Sequence, residues 1–361
     1  MIEAASDIAR EVDYAIIVVG GICAVFFLGI VAFMLLCIFK FHHTKTTKTK
    51  QIHGNLFLEI TWTVIPTILV FYMFWVGWQG FNKIRTVPDD HMVIEVVAQQ
   101  WLWNLKYPEE DIQVVNNFHI PAGVPVKFKL TSLLDDVLHS FYIPAFRVKE
   151  DCVPGMNTYI WVNADMPKNG ESETYNMFCA EFCGKDHAQM IGTVTVDSPA
   201  AYEKWVQSVK AEANKPVDMK LALDATSPEV QGRDGETLYK TYCVSCHGST
   251  GMGQAETMVP NARDFTNLVG WKQGNKINNI YETLITGVPG TEMRGFTSLS
   301  PWDRFAVAHK VASFYKGSGR QKVSEAEAKA LEEKYKLSAP YEPKKTLAID
   351  QAMDLLLKEK K

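Results

Sequence analysis

The chain has 361 residues, enough for two or three domains, and a formal net charge of −4. The near-neutral charge, without a basic patch interleaved with aromatic residues, excludes a typical nucleic-acid-binding protein. Its seven cysteines are scattered along the chain, which indicates cofactor binding rather than a disulfide framework.

Two apolar segments near the N-terminus predict a transmembrane hairpin within residues 1–87. Residues 14–39 and 60–81 carry no charge, and each exceeds the ~20 apolar residues that span a bilayer. The first segment is too long for a signal-peptide core and has no basic region before it. The lysine-rich segment 40–50 between them favours a cytoplasmic loop, which places both the N-terminus and everything after residue 81 outside.

Glu59 lies at the start of the second apolar segment, on the cytoplasmic side. A carboxylate there is stabilised by the positive end of the helix dipole, so a purely structural role is plausible. Acidic residues near membrane depth are also candidates for function. The residues alone leave both interpretations open.

Residues 88–198 predict an antiparallel β-sandwich. Short runs of β-branched and aromatic residues, separated by Pro and Gly clusters, are typical of its strands. Trp101 and Trp103 alternate along one predicted strand, so they cannot both face the core. Trp101 could still be an ordinary sandwich tryptophan.

The loop 179–190 carries the strongest metal-binding signal in the chain. It holds two cysteines, a histidine and a methionine, namely Cys179, Cys183, His187 and Met190. These soft and intermediate ligands favour copper over magnesium or calcium. One cysteine with a remote histidine, for which His139 is the candidate, would describe a blue-copper site. The second cysteine allows two thiolates to bridge two metals, so we predict a dinuclear copper centre for electron transfer.

Two other interpretations of this loop remain open. A structural zinc site usually has four strong ligands and paired Cys-x-x-Cys knuckles, whereas these cysteines are four residues apart. A disulfide between Cys179 and Cys183 is possible outside the cytoplasm. It would give no reason for His187 and Met190 to lie beside it.

Residues 199–232 predict a linker, in which a short helix from Pro199 to Val209 is followed by a segment rich in Lys, Asp and Pro. Residues 233–320 predict an all-α domain with covalent haem c. Cys243, Cys246 and His247 form the Cys-x-x-Cys-His signature, in which two thiols bond the haem vinyl groups and the histidine binds iron. The tail at 321–361 predicts charged, exposed helices at 323–336 and 349–357.

The sixth ligand of the iron must come from another residue, and three methionines compete. Met252 is five residues from His247, a span of ~17 Å at most that barely rounds the edge of the haem. Met258 is possible. Residues 235–247 and 300–315 resemble those of a small cytochrome c, and this resemblance implies Met293, just before the last predicted helix, as the ligand, although Arg294 stands where that family usually has proline. His309 lies on the terminal helix and is predicted to be a surface residue.

Several motifs together resemble subunit II of cytochrome c oxidase, of the haem-copper oxidase family, over roughly residues 14–198. Beside the copper loop they are LEITWTVIP at 58–66, QWLW at 100–103, DVLHS at 136–140 and KEDCVPG at 149–155, in the order of the family. Cys152 and Met156 depart from the small apolar residue and the arginine expected there. Neither position is a ligand in the family, so the departure concerns packing and surface charge.

The resemblance implies a multidomain membrane protein: a two-helix transmembrane hairpin, a cupredoxin-like Greek-key β-sandwich and an all-α cytochrome c domain. It implies a dinuclear copper centre (CuA) held by His139, Cys179, Cys183, His187, Met190 and the backbone carbonyl of Glu181. The Glu181 side chain would face a magnesium ion shared with subunit I. Trp101 would be the surface aromatic through which electrons arrive, and Glu59 would lie at the entrance of a proton pathway.

The function implied is electron input to a proton-pumping cytochrome c oxidase of the bacterial inner membrane, with the copper and haem domains on the periplasmic side. Electrons would pass from a cytochrome c or a quinol-oxidising complex, through haem c and copper, to subunit I, where oxygen is reduced to water. Subunit I, subunit III and membrane lipid would be the partners.

Three other functions share some of these sequence features. A quinol oxidase subunit has this fold without the copper loop. A nitric-oxide reductase fed through a similar copper domain would differ only in its partner subunit. A copper-delivery protein would have no use for the haem signature.

Overall fold

The computed structural model describes residues 3–45, 53–134, 136–168, 170–257, 259, 262–291 and 293–339. The chain divides into two compact units, one formed by residues 1–109 and 115–202 and the other by residues 110–114 and 203–361.

Two long helices, α1 (Asp7–Lys40) and α2 (Leu56–Arg85), form the predicted hairpin. Both are long and apolar enough to cross a membrane. They extend beyond the uncharged segments because polar caps and charged terminal turns add to each end. Ser6 accepts from the Ala9 N–H at the start of α1, and Asn55 accepts from the Leu58 N–H at the start of α2.

The N-terminal end of α1 and the C-terminal end of α2 are hydrogen-bonded to the β-sandwich of the same unit. Arg147 donates two hydrogen bonds to the Asp13 carboxylate of α1, at 2.9 and 3.0 Å. Trp161 Nε1 and Tyr159 Oη donate to the carbonyls of Lys83 and Arg85 at the end of α2, at 3.2 and 3.1 Å. Paired charges and aromatic donors therefore tie the hairpin to the sandwich at several points.

The sandwich consists of two five-stranded sheets in the part of the chain that the structure describes. One sheet has the order β3-β2-β1-β5-β8 and the other the order β4-β10-β9-β6-β7. The strands are β1 (Met92–Gln99), β2 (Leu102–Tyr107), β3 (Ile112–Val115), β4 (Asn117–Pro121), β5 (Pro125–Ser132), β6 (His139–Ile143), β7 (Val148–Cys152), β8 (Thr158–Asn163), β9 (Ser172–Cys179) and β10 (Ile191–Asp197). The predicted antiparallel sandwich is confirmed with one correction, because β1–β5 and β4–β10 pair in parallel.

Aromatic side chains fill the space between the sheets. Trp103 is fully buried and meets Phe141 edge to face, with ring centroids 5.4 Å apart. Trp101 lies half-buried in the turn before β2. As predicted from their alternation, only one of the two tryptophans faces the core.

In the described residues, the second unit is helical apart from residues 110–114, which include most of β3. Its helices are α3 (Pro199–Ala213), α4 (Met219–Ala222), α5 (Pro228–Gln231), α6 (Gly235–Tyr242), α7 (Val244–His247), α8 (Gln254–Thr257), α9 (Ile277–Thr286), α10 (Pro301–Ser313) and α11 (Glu325–Tyr335). The first of them begins in the sandwich unit and continues into this one.

The prediction of a linker at 199–232 is wrong for its second half. Val217, Met219, Ala222 and Val230 are buried in one cluster with aromatic residues of α9 and α10. Trp302 Nε1 also donates to the Pro216 carbonyl at 3.0 Å. The few apolar residues of this polar segment are spaced so that α4 and α5 cover the helical core.

The tail prediction is partly confirmed. The helix predicted at 323–336 is α11, whose capping box joins Ser324 and Glu327. It is not fully exposed as predicted, because Leu331 and Leu337 are buried in the same cluster as α4 and α5. The second predicted helix, at 349–357, lies outside the described residues.

Candidate copper and haem sites

The predicted copper ligands converge at one end of the sandwich. His139 begins β6, and Cys179 ends β9, its hydrogen-bonded neighbour. The loop between β9 and β10 closes on itself, since the Cys179 N–H donates to the Met190 carbonyl at 3.2 Å. The pairing of β6 with β9 thus brings His139 beside the loop that begins at Cys179, 40 positions later in the chain.

The ligand atoms lie at distances typical of a shared metal centre. Cys179 Sγ is 3.8 Å from Cys183 Sγ, 3.9 Å from His139 Nδ1 and 3.2 Å from the Glu181 carbonyl oxygen. Cys183 Sγ is 3.5 Å from His187 Nδ1 and 3.8 Å from Met190 Sδ. Ligands that share one tetrahedral metal at bond lengths of 2.0–2.3 Å lie about 3.3–3.8 Å apart.

The donor set fits two copper ions better than the alternatives. Both cysteines are free, and their sulfurs are far beyond the ~2.05 Å of a disulfide. His139 lies beside Cys179 and His187 beside Cys183, so two metals held by both thiolates would each have one histidine. The thioether of Met190 is a soft ligand that suits copper, whereas structural zinc sites use cysteine and histidine.

The electrostatics favour thiolate at this site. The pKa of Cys179 is lowered to about 3, first because Cys183 hydrogen-bonds to it and then because His139 and the backbone of Ser140 and Glu181 do. The pKa of Cys183 is raised, first because it hydrogen-bonds to Cys179 and then because it is buried beside that thiolate. Both cysteines bind metal as thiolates, so the charge of bound metal would replace the second proton.

Residues that offer no metal ligand hold this arrangement in place. Gln100 Nε2 and Trp101 Nε1 both donate to the Cys183 carbonyl, at 2.7 and 3.1 Å. The Gln100 N–H donates to Asp136 Oδ2 at 2.8 Å, and Asp136 Oδ1 lies 3.5 Å from His139 Nε2. Gln100 thus links the loop half of the site to the His139 half. This role of Gln100 is not evident from its residue type, and its adjacency to Trp101 is the available signal in the sequence.

Gly184 allows the close approach of Gln100 and Trp101 to the loop. Its φ is +117°, and a Cβ at this position would lie 3.0 Å from Gln100 Nε2 and 3.1 Å from the Trp101 ring. Any larger residue would push the two donors away from the Cys183 carbonyl.

The two residues that depart from the family pattern are not ligands. Cys152 pairs with His139 across β6 and β7 and is fully buried. Burial raises the pKa of its thiol, so Cys152 is a neutral packing residue behind the site. Met156 is half exposed on the surface.

Glu59 and Glu181 are both exposed. Glu59 lies in the first turn of α2, where the helix dipole favours its charge. Glu181 lies between the two copper-loop cysteines, with its backbone carbonyl toward Cys179 Sγ.

The haem signature lies on α7 and the turn before it. Cys243 and His247 are buried, and Cys246 is half-buried. His247 Nδ1 lies 3.0 Å from the Arg263 carbonyl, which fixes the ring and leaves Nε2 as the nitrogen for iron. Burial lowers the pKa of His247, which keeps the imidazole in its neutral, ligating form. These residues fit a covalent haem c.

Met293 is the methionine best placed beside this motif. It packs against the apolar cluster that contains Cys243, whereas Met252 is 42% exposed. Met258 lies outside the described residues. His309 is not the fully exposed surface residue that was predicted, because it is half-buried and its Nε2 is 2.8 Å from the Ala222 carbonyl.

Three protein-family profiles match the chain in order. "Cytochrome C oxidase subunit II, transmembrane domain" matches residues 1–76, and "Cytochrome C oxidase subunit II, periplasmic domain" matches residues 109–197. "Cytochrome C oxidase, cbb3-type, subunit III" matches residues 230–309.

Curated relatives agree with these matches. The chain is 31% identical over 232 residues to the alternative cytochrome c oxidase subunit 2 of Bradyrhizobium diazoefficiens, which covers 56% of this chain and 81% of the relative. It is 34% identical over 212 residues to cytochrome c oxidase subunit 2 of Alkalihalophilus pseudofirmus, with 57% of each chain covered. It is also 32% identical over 186 residues to quinol oxidase subunit 2 of Bacillus cereus, covering 50% of this chain and 61% of that one.

Among solved structures, the chain is similar to the periplasmic domain of subunit II of cytochrome oxidase from Bradyrhizobium japonicum. The identity is 27%, with 34% of this chain and 96% of that one covered, and the TM-score is 0.31.

Proposed function

This chain belongs to the cytochrome c oxidase subunit II family with a cbb3-type cytochrome c domain at its C-terminal end, and we propose that it supplies electrons to a proton-pumping oxidase. It delivers them from an external donor to subunit I, where oxygen is reduced to water. The observation that carries this proposal is the convergence of two cysteines, two histidines and a methionine within 3.5–3.9 Å contacts.

The sandwich holds the copper ligands and keeps water from them. His139, Cys183 and Met190 are buried, and the pairing of β6, β9 and β10 sets their separation. Bound copper supplies a one-electron carrier at this site. Rigid placement of the ligands keeps the reorganisation on electron transfer small, since the strands beneath them do not need to move. Trp101 lies half-buried, hydrogen-bonded to the Cys183 carbonyl, and is proposed as the point where electrons arrive.

Cys243, Cys246, His247 and Met293 of the helical domain would hold covalent haem c. A His/Met pair raises the haem potential, which suits an oxidase that works at high potential. Because the two domains are on one chain, the haem is kept at high effective concentration near the copper site.

The hairpin anchors the copper and haem domains to the membrane. We assign the chain to the bacterial inner membrane, with the copper and haem domains on the periplasmic side. Glu59, exposed at the start of α2, is proposed to lie at the entrance of a proton pathway in subunit I. The exposed Glu181 side chain is proposed to bind a magnesium ion shared with subunit I. Subunit III and a cytochrome c or quinol-oxidising donor complete the proposed set of partners.

Oxygen uptake by the intact complex tests this function. The variant Cys183→Ser removes a bridging thiolate, so we expect uptake driven by reduced donor to fall more than 100-fold while the haem still becomes reduced. Cys152→Ala is the matched control, because Cys152 is buried next to His139 without binding metal. Unchanged oxygen uptake in Cys183→Ser would contradict the proposal.

A further inference from the structure

Two arginines of the helical unit lie against one tryptophan. The guanidinium carbon of Arg263 is 5.2 Å from the centroid of the Trp271 ring, and that of Arg320 is 5.5 Å from it. Stacking on an aromatic face stabilises each cation, and both cations lie against the same ring. Arg263 and Arg320 are called the arginine pair below.

The arginine pair has no acidic partner among the residues that the structure describes. Arg263 donates to the Asn267 carbonyl at 2.5 Å, and Arg320 donates to the carbonyls of Asn275 and Ala312. Arg263 Nε is buried with no hydrogen-bond partner. The neighbouring Asp264 accepts instead from the N–H and hydroxyl of Thr266.

Holding two such cations is costly without an anion. Both arginines are only partly exposed, and their described hydrogen bonds go to backbone carbonyls rather than to carboxylates. A partly buried charge is usually paired, and one that is not destabilises the fold. The pair is therefore suited to an anion that the polypeptide itself does not provide.

The arginine pair lies close to the proposed haem site. The Arg263 carbonyl accepts the hydrogen bond that orients His247. Phe265 stacks on His247 at 4.3 Å and on Trp271 at 5.7 Å, so aromatic contacts run directly from the iron ligand to the arginine pair. Haem has one polar edge, which carries two propionate carboxylates, and the planar fork of arginine matches a carboxylate.

We propose that Arg263 and Arg320 bind the propionates of the covalent haem and that their positive charge raises its midpoint potential. The inference rests on the proposed haem at Cys243, Cys246 and His247. Ferrous haem carries one positive charge fewer than ferric haem, so nearby cations favour the reduced form. The arginine pair thereby adds to the effect of the axial ligands on the potential.

The midpoint potential of the haem in the full-length protein tests this role. Arg263→Gln and Arg320→Gln should each shift it to lower values, and the double variant should shift it further. Substitution at position 263 leaves intact the backbone carbonyl that orients His247. Arg263→Lys keeps the positive charge but loses the planar guanidinium, so it should shift the midpoint potential less than Arg263→Gln does.

Arg304→Gln is the matched control. Arg304 also lies over an aromatic ring, that of Tyr281 at 5.8 Å, and also donates to carbonyls, those of Phe296 and Thr297. Its removal should leave the potential close to that of the parent protein. A second readout is the propionate bending band in resonance Raman spectra, which should shift in the two pair variants and stay in place in Arg304→Gln.

Potentials and Raman bands that match the control in both pair variants, with covalent haem retained, would overturn the propionate assignment. If Arg263→Gln fails to fold, Arg320→Gln alone decides between these outcomes. Absence of covalent haem from the parent protein would instead overturn the proposed function, so the two failures are distinguishable.

Discussion

At the scale of single residues, the candidate copper ligands could be named from the sequence, but the residues that support them could not. One loop contains Cys179, Cys183, His187 and Met190, and this close spacing of soft ligands indicates a metal site. His139 is 40 positions away and was identified through the motif around it. Gln100 gave no chemical signal, because a glutamine acquires its role only when folding places the Cys183 carbonyl 2.7 Å from its amide.

Removal of the Gln100 amide should loosen the copper site. Gln100→Leu leaves the Cys183 carbonyl without its shorter hydrogen bond, and changes of such supporting residues typically reduce metal affinity about 10–100-fold. Competition with a copper chelator measures the effect. Gln99→Leu is the control, because Gln99 bonds Asn104 instead. Equal copper retention in the two variants would contradict a positioning role for Gln100.

Met293 should determine the spin state of the haem. Met293→Ala removes the proposed axial thioether, so the optical spectrum should change to that of a high-spin or misligated haem. Met252→Ala, at a methionine that is 42% exposed, should leave the spectrum as it is. An unchanged spectrum in Met293→Ala would point to Met258 as the ligand.

At the scale of elements, the sequence pattern predicted the type of secondary structure better than it predicted which residues are buried. The transmembrane segments and α11 were identified because their patterns are long or capped. The segment 217–231 was taken for a linker because its composition is polar, yet Val217, Met219 and Val230 are buried. Whether a few apolar residues pack depends on the partner surface, which local sequence does not contain.

The loop that follows the haem signature should depend on the charge of Glu256. Hydrogen bonds from the hydroxyls and N–H groups of Thr250 and Ser249 lower the pKa of Glu256 to about 2. A carboxylate with a lowered folded-state pKa contributes stability above its unfolded pKa of about 4.5, and this is lost as pH falls toward about 2.

Glu256→Gln should therefore lower the Tm at pH 7, and the difference from the parent should shrink between pH 4.5 and pH 2. Thermal unfolding followed by haem absorbance measures it. Glu325→Gln, at another acidic residue near a helix start, should show no such pH-dependent difference. A Tm difference that stays constant down to pH 2 would rule out the charge as its cause.

At the scale of the whole molecule, one chain combines a membrane anchor, a copper domain and a haem domain. The order of these parts was predictable, because each has its own signature: uncharged apolar runs, a short loop of soft ligands and Cys-x-x-Cys-His. The anchoring of the hairpin by Arg147, Tyr159 and Trp161 was not predictable, since these contacts join residues 74 to 134 positions apart.

Electron paramagnetic resonance of the oxidised, intact protein, combined with elemental analysis, tests the dinuclear copper centre most directly. Two copper ions held between the two thiolates would share one unpaired electron, so the hyperfine pattern should arise from two equivalent copper nuclei. Elemental analysis should find two coppers per chain. A single-copper pattern, or zinc in place of copper, would contradict the account.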